Sequence, residues 1–344
     1  MRKRLVTLLG SVLAAGLLLV AKPARPAEPD KDAFASNRLL GRGVNLGNAL
    51  EAPREGAWGL TLKEEYFRLI KQAGFQAVRI PIRWSAHAEE KPPFEIDPAF
   101  FKRVNWAIDQ ALSRDLVVVI NVHHYDEMFV DPAKHLPRLV ALWRQIARHY
   151  RQQPERLYFE LLNEPHGALT SERWNKMIPQ LLGAIRESNP QRVVIVGPGQ
   201  WNGLRELDKL SLPEGDRRLI VTFHYYLPFH FTHQGAEWVP GSRKWQGTSW
   251  KGTPRQEAAL RKDFERASAW GKKHRRPLFL GEFGSYSAAD MDSRARWTHA
   301  LAGEAEKHGI SWSYWEFGSG FGLYDPKAHA WHEPLLQALV GKER

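Results

Sequence analysis

Short apolar runs alternate with longer amphipathic stretches along this chain, from about residue 40 to its end. Runs such as VVVINV and VVIVG are continuously apolar, which is typical of parallel strands covered on both faces. The stretches between them place apolar residues at helical spacing, and several end in Gly or basic residues, as helix C-termini do. The eight predicted strands cover residues 43–46, 77–82, 116–122, 157–162, 192–196, 219–225, 277–282 and 311–316.

The longer stretches predict helices between these strands. The helical patterns are LKEEYFRLIKQAG, FFKRVNWAIDQALSRD, LPRLVALWRQIARHY, SERWNKMIPQLLGAIRESN, QEAALRKDFERASAWGKKH and DMDSRARWTHALAGEAEKHG. Between the fifth and sixth strands the chain is too short and too rich in Pro and Gly to predict a full helix. Eight βα units in about 300 residues fit an α/β fold of the (β/α)8 TIM barrel type better than a doubly wound sheet. No Pro, Gly or Ser-rich linker interrupts the pattern, so we predict a single domain.

The first 27 residues follow a different pattern. A basic tip precedes an apolar run over residues 5–21 and then a segment of Pro and Ala, which is typical of a secretory signal peptide. The run is at the short limit for crossing a bilayer, so a membrane anchor is the alternative. We predict a signal peptide over residues 1–27, an N-terminal extension over 28–39 and the folded domain over 40–344. The protein is then secreted, extracellular or periplasmic, with no membrane association after removal of the signal.

Charge and composition exclude several classes of function. The formal net charge is +11, but the first 27 residues hold five of the 49 Lys and Arg and no acid, which leaves +6 for the rest. Because the remaining basic residues are interleaved with Asp and Glu, nucleic-acid binding is not favoured. The chain has no Cys, so disulfides, thiolate metal sites and thiol nucleophiles are all excluded.

Polar and aromatic residues lie on the predicted strands near their ends or directly after them, where the active site of a barrel lies. In chain order they are Asn45, Asn48, Glu51, Arg79, His123, His124, Asn163, Glu164, Trp201, His224, Tyr226, Glu282 and Trp315. A single His or Arg at a strand end ordinarily has a structural role. Glu164 and Glu282, however, each end an apolar strand, where burying a carboxylate is costly unless it is used or paired. Two such carboxylates facing one cleft can have different pKa values, so one can donate a proton while the other attacks, as in glycoside cleavage.

Seven segments resemble glycoside hydrolase family five, in particular its bacterial secreted endo-β-1,4-glucanases. They are GVNLGNALE, VRIPIRW, NVHHYDE, LLNEPHG, HYYLPFHFTHQGAEW, LGEFG and SWSYWEF, and the resemblance runs from about Leu40 to the C-terminus. It implies a retaining endo-β-1,4-glucanase that acts by double displacement on a β-1,4-linked polysaccharide, without a cofactor or metal. We expect a monomer. A β-1,4-mannanase or a dual glucanase and mannanase stays open, because the two sugars differ only at C2. A non-catalytic carbohydrate-binding barrel is less favoured, because neither carboxylate is missing.

The resemblance also implies roles for individual residues. Glu164 is the general acid/base and Glu282 the nucleophile, and Asn163 bonds the sugar 2-hydroxyl. Arg79 and Tyr226 hold Glu282 ionised, which suits a nucleophile. The remaining residues shape the cleavage subsite or contact substrate: His123, His224, Trp315, Asn48, Glu51, His124, Trp201 and Trp238.

Loop tryptophans and histidines leave further alternatives. The chain has 14 Trp, and those predicted in loops suit sugar stacking, with packing as the alternative. They are Trp58, Trp201, Trp238, Trp245 and Trp250. A metal hydrolase with His123, His124 and Asp126 as ligands is disfavoured, because adjacent strand residues point to opposite sides. The glycines of GRGVNLG have the wrong spacing for a phosphate loop and begin a strand instead of following one.

Overall fold

Eight parallel strands pair in chain order and close into a barrel, with the first strand hydrogen-bonded to both the second and the eighth. The computed structural model describes residues 32–341. The barrel strands are β1 (Arg42–Asn45), β2 (Ala77–Ile80), β3 (Val117–Asn121), β4 (Leu157–Glu160), β5 (Val194–Val196), β6 (Leu219–His224), β7 (Leu278–Phe283) and β8 (Ser311–Tyr314). Outside the barrel, β9 (Tyr324–Asp325) and β10 (Ala330–Trp331) pair antiparallel. The predicted (β/α)8 barrel is confirmed.

Helices connect successive strands, and one helix precedes the first strand and another follows the last. They are α1 (Ala33–Leu40), α2 (Glu64–Gln72), α3 (Pro98–Leu112), α4 (Asp126–Val130), α5 (Pro132–His149), α6 (Ser171–Arg186), α7 (Gly199–Asn202), α8 (Phe229–Thr232), α9 (Pro254–His274), α10 (Met291–Lys307) and α11 (Glu333–Val340). Three 3₁₀ helices cover Trp84–His87, Leu204–Lys209 and Ser242–Trp245. Several long helices begin where a side chain accepts a bond from the first turn, as Asp97, Thr170 and Asp290 do, which satisfies N–H groups that the helix leaves free.

The hydrophobic core has two layers. The larger layer lies between the strands and the surrounding helices, and a smaller cluster of Ala33, Leu40, Ala77, Val117, Val119, Tyr158, Val193, Ile195, Ile220 and Phe279 joins α1 to strand residues. Tyr158 donates to the Ser36 carbonyl at 3.0 Å and Ser311 to the Asn37 side chain at 2.7 Å. Both donors lie near the start of a strand, so α1 packs at the N-terminal end of the barrel and the opposite end carries the site.

Several boundaries differ from the predicted ones. The strand predicted at 77–82 ends at Ile80, and the one predicted at 157–162 ends at Glu160. The apolar residues beyond these ends, Ile82, Leu161 and Leu162, stay buried in the core. As predicted, no full helix joins β5 to β6 in the described chain, which forms α7 and a 3₁₀ helix there. The helix α11 was not predicted; it packs on α10 through Leu335 and Leu339.

The predicted signal peptide, residues 1–27, lies outside the described residues. The predicted extension, 28–39, overlaps them from residue 32 and contains most of α1. Within residues 32–341, no helix has the length and apolar character needed to cross a bilayer.

Candidate active site

Two glutamates and a histidine meet at the C-terminal mouth of the barrel. Glu282 lies in β7, Glu164 follows β4 and His224 ends β6. One carboxyl oxygen of each glutamate and one ring nitrogen of His224 all lie within 4.8 Å of one another. Glu164 has a φ of +47°, a region rarely populated by residues with a side chain and often found at active sites. The structure therefore brings the two predicted carboxylates together.

The fully buried side chain of Arg79 organises this cluster. Its Nη1 donates to Glu282 Oε1 at 2.7 Å and Asn45 Oδ1 at 2.9 Å. Its Nη2 donates to Asn163 Oδ1 at 2.7 Å, and Nε and Nη2 together grip Glu160 at 2.6 and 2.8 Å. A two-point bond of this kind fixes the plane of the guanidinium. Arg79 therefore holds Glu282 and Asn163 at fixed positions in the mouth.

Glu282 has a cationic partner and a hydroxyl donor. Burial raises the pKa of its carboxyl, and the charge of Arg79 opposes that rise. Tyr226 donates to Glu282 Oε2 at 3.0 Å. Burial and the nearby carboxylates raise the pKa of Tyr226 well above its ordinary value, so its hydroxyl keeps its proton. These donors favour the ionised form of Glu282.

Glu164 has a different environment. Its side chain is 25% exposed, against 6% for Glu282, so it is the carboxyl that solvent reaches more readily. Burial raises the pKa of Glu164 to about 7. Its Oε1 lies 2.7 Å from His224 Nδ1, and burial lowers the pKa of His224 to about 4, so the ring is neutral near pH 7. The cluster therefore holds one carboxyl suited to keep a proton and one suited to ionise.

His123 and Trp315 lie together on another side of the mouth. Their ring planes are 7° from parallel with centroids 5.9 Å apart. Burial keeps the pKa of His123 well below its ordinary value, and its Nδ1 lies 3.1 Å from Asn121 Nδ2. A Cβ on Gly47 would come within 2.7 Å of the Trp315 ring, so glycine is needed for this approach. Trp315 stays partly exposed and presents its ring at the site.

Trp201 and Trp238 expose most of their surface around the mouth, 52% and 59%. Trp201 stacks on His166, with centroids 4.8 Å apart and planes 12° from parallel, and His166 Nδ1 donates to the Glu164 carbonyl at 2.6 Å. Trp238 is held edge-on by Tyr286 at 5.1 Å. A fixed ring with a free face suits stacking against a pyranose.

The loop after β1 carries two predicted site residues that differ in exposure. Asn48 is partly exposed, with a φ of +63°. Glu51 is fully buried and accepts bonds from the backbone N–H groups of Asn48 and Ala49. It therefore supports the loop and offers no surface to a sugar, in contrast to the contact predicted for it. His124, predicted to contact substrate, is partly exposed and packs edge-on against Trp58 at 5.4 Å.

The two other loop tryptophans pack against neighbouring residues. Trp250 is 2% exposed and belongs to the main core, so the packing interpretation applies to it. Trp245 is half-buried and lies 4.4 Å from the His230 ring.

The sequence also matches a known family. Residues 41–320 match the model described as Cellulase (glycosyl hydrolase family 5). The chain belongs to glycosyl hydrolase family 5. Endoglucanase H of Acetivibrio thermocellus is 38% identical over 314 residues, which cover 90% of this chain and 33% of the relative. The chain thus spans about a third of that relative's length.

Solved family 5 structures superimpose on the barrel. The endoglucanase Cel5A from the hyperthermophilic Thermotoga maritima has 52% identity and a TM-score of 0.89, covering 90% of this chain and 100% of that one. A structure of the same enzyme in complex with a mannotriose substrate gives 51% identity, the same TM-score and the same coverage.

The metal-hydrolase alternative gains no support in this family 5 chain. Among residues 32–341, His123, His124 and Asp126 form no group with metal-binding spacing, and Asp126 pairs with Arg83 at 3.2 Å. Glu164, His224 and Glu282 do form such a group, but the Arg79 guanidinium donates into it, which opposes a second cation.

Three buried polar residues at or beside the site were not predicted from the sequence. Glu160 lies within the apolar run LYFELL, and a lone carboxylate there signals a buried partner. Glu316 accepts bonds from the backbone N–H groups of the loop that follows it, those of Gly318, Ser319 and Phe321. Asn202 lies 3.3 Å from His224 Nε2; no local pattern reveals it, because the contact depends on an unusual turn.

Proposed function

We propose that this chain is a retaining endo-β-1,4-glucanase that hydrolyses internal bonds of glucans by double displacement. The observation that carries this proposal is the pair of Glu164 and Glu282, which place a carboxyl oxygen of each within 4.8 Å of the other. Retaining enzymes hold their two carboxyl groups about 5–5.5 Å apart, whereas inverting enzymes need roughly 6.5–9.5 Å to seat a water between carboxylate and sugar. The short separation therefore favours direct attack by a carboxylate.

In the first step, an oxygen of Glu282 attacks the anomeric carbon and forms a glycosyl ester. The bond from that carbon to the leaving-group oxygen breaks, and Glu164 gives its proton to this oxygen. Arg79 and Tyr226 keep Glu282 ionised and oriented. Because the Asn163 Oδ1 is taken by Arg79, its Nδ2 is left to donate to the sugar 2-hydroxyl.

In the second step, a water replaces the leaving sugar. Glu164, now ionised, takes a proton from the water, whose oxygen attacks the anomeric carbon and releases Glu282 as a carboxylate. Two inversions at the same carbon return the β configuration. Asn48, His123, His124, Trp201, Trp238 and Trp315 are the proposed contacts along the bound chain.

The proposed substrate is a β-1,4-glucan. Endoglucanase H supports this through its name. The Thermotoga maritima structure with mannotriose is the reason to test mannan beside it.

We also propose that residues 1–27 are a signal peptide, that residues 40–344 form the catalytic domain, and that the enzyme is secreted and monomeric. The basic tip and apolar run of the N-terminus support secretion. N-terminal sequencing of the exported protein and its elution volume on size exclusion test these points.

Viscosity and reducing ends, measured together, test endo action. On carboxymethylcellulose, lichenan and glucomannan, we expect viscosity to fall much faster than reducing ends appear, with mannan as the comparison. The variant Glu164→Gln, which cannot supply the proton, is the control. Release of dimers from chain ends with viscosity preserved would contradict the proposal, and faster cleavage of mannan would reassign the substrate.

A further inference from the structure

Three consecutive residues of α7 adopt left-handed backbone angles, with φ of +50° at Gln200, +58° at Trp201 and +51° at Asn202. Residues with a side chain lose free energy in this region. The turn sends Trp201 toward solvent and Asn202 into the protein, where it is fully buried. Strain of this kind persists where the surrounding structure fixes it, and often at functional sites.

The buried Asn202 contacts the ring of His224. Its Nδ2 lies 3.3 Å from His224 Nε2. An amide nitrogen can only donate, so a hydrogen bond at this contact requires an Nε2 that accepts and carries no proton. Because burial lowers the pKa of His224 to about 4, the ring is neutral, and a bond from Asn202 leaves Nδ1 to carry its single proton. That atom lies 2.7 Å from Glu164 Oε1 and 3.6 Å from Glu282 Oε2.

We propose that Asn202 is a positioning residue that fixes His224 in the Nδ1-protonated tautomer and so prevents the ring from accepting the acidic proton of Glu164. This inference rests on the acid/base role proposed for Glu164. Without the amide, the ring proton could move to Nε2, and the lone pair on Nδ1 would face the protonated carboxyl. The proton of Glu164 would then be held by His224 instead of pointing at the glycosidic oxygen.

Of the groups around His224, Asn202 is the one placed to fix its tautomer. The charged and titratable groups that face His224 and Glu164 from the neighbouring strands and loops are Arg79, Glu160, Glu282, His123, His166 and Tyr226. Among the described residues, only Asn202 is hydrogen-bonded to Nε2. Its Oδ1 is buried without a partner, so the Nδ2 contact is the bond that this amide makes. A Cβ at position 197 would overlap the Asn202 Oδ1, so the glycine at this position provides the space that the Asn202 side chain occupies.

The tautomer can be read directly in the wild-type enzyme. Nitrogen-15 NMR of protein labelled at histidine distinguishes a protonated from an unprotonated ring nitrogen, and the His224→Asn variant assigns the signal. We expect a neutral ring with the proton on Nδ1 near pH 6. A proton on Nε2 would overturn the proposal. This readout needs no substrate, so it is independent of whether the enzyme cleaves glucan.

Asn202→Gly and Gln200→Gly form a matched pair. Glycine adopts positive φ without strain, so both variants relax the same turn, but only the first removes the amide. For Asn202→Gly we expect the basic limb of the kcat/KM profile to move up by about half to one pH unit. Its kcat should fall about tenfold on cello-oligosaccharides and less than about twofold on dinitrophenyl cellobioside, whose leaving group needs no proton. Gln200→Gly, whose side chain is exposed, should match the wild type.

Equal losses on both substrates, or an unmoved basic limb, would assign Asn202 a packing role and overturn the proposal. If Asn202→Gly does not fold, the NMR measurement of the His224 tautomer in the wild-type enzyme still tests the proposal. If the wild type cleaves no β-1,4-glucan, the proposed function fails, and the position of the ring proton still tests the contact from Asn202.

Discussion

Glu164 and Glu282 are identical side chains to which their neighbours give different protonation behaviour. Glu282 contacts Arg79 at 2.7 Å, whereas Glu164 contacts a neutral histidine and burial raises its pKa to about 7. Activity requires Glu164 protonated in the first step, so we expect kcat/KM to fall as pH rises through about 7. A pH–rate profile on a cello-oligosaccharide measures this limb. A rate that still increases above that pH would contradict the assignment of the acid.

Removing the nucleophile should leave a space that a small anion can fill. In Glu282→Gly we expect hydrolysis to fall on the order of 10⁴-fold or more, because the covalent step is lost. Added azide should restore cleavage of an activated aryl β-glycoside and give an α-glycosyl azide, detected by NMR. Glu164→Gly is the control, since azide there should attack the glycosyl-enzyme and give the β product. The same azide anomer from both variants would refute the separate roles.

Trp238 and Trp250 offer a matched test of stacking against packing, since they are 59% and 2% exposed. Trp238→Ala should lose about 1–3 kcal/mol of transition-state stabilisation, with little change in Tm. Trp250→Ala should instead lose roughly 3–5 kcal/mol of stability because it leaves a cavity. Steady-state kinetics and thermal melting of both variants check this. A large fall in Tm with unchanged activity for Trp238→Ala would make it a packing residue.

The side chains that could be predicted are those whose place follows from a strand end. Glu164 and Glu282 each come at or after an apolar strand, and the barrel brings such positions together. Glu51 also follows a strand, but its orientation depends on backbone donors in its own loop. Asn202 could not be predicted, because a left-handed turn inside a loop decides its direction.

At the scale of elements, two loops of the mouth are built around buried carboxylates. Glu51 accepts from backbone N–H groups after β1, and Glu316 does the same after β8. Burial, together with a smaller contribution from the charge of Glu316, raises the pKa of Glu51 to about 8, and burial raises that of Glu316 to about 7. The strands were predictable from local hydrophobic pattern, whereas these loops depend on tertiary bonds to a buried acid.

The raised pKa of Glu51 makes stability depend on pH. Its folded value of about 8 exceeds the ordinary 4.5, so the folded state holds the proton more tightly. The stabilisation is complete below about pH 4.5 and is lost as pH rises through about 8. We expect Tm to fall between these pH values, and Glu51→Gln to make the fall shallower. Glu90→Gln, at an exposed position, is the control, and an unchanged slope in Glu51→Gln would contradict this origin.

At the scale of the whole molecule, the site exists only when the barrel closes. Arg79 and Glu282 are 203 positions apart in the chain, and Glu160 and Asn163 come from a third strand and its loop. Pairing of parallel strands in chain order places all of them at one end. The alternation of strands and helices predicts that these residues lie at one end of the barrel. The distances between the carboxyl groups follow only from the closed sheet.

The central claim is that Glu164 and Glu282 act together in a double displacement, and the configuration of the first product tests it most directly. Proton NMR during hydrolysis of a soluble β-1,4-glucan resolves the anomeric signals before they equilibrate. The account predicts that the β-anomer appears first and the α-anomer follows by mutarotation. An α-anomer formed first would mean that water attacks directly, and would contradict the nucleophilic role of Glu282.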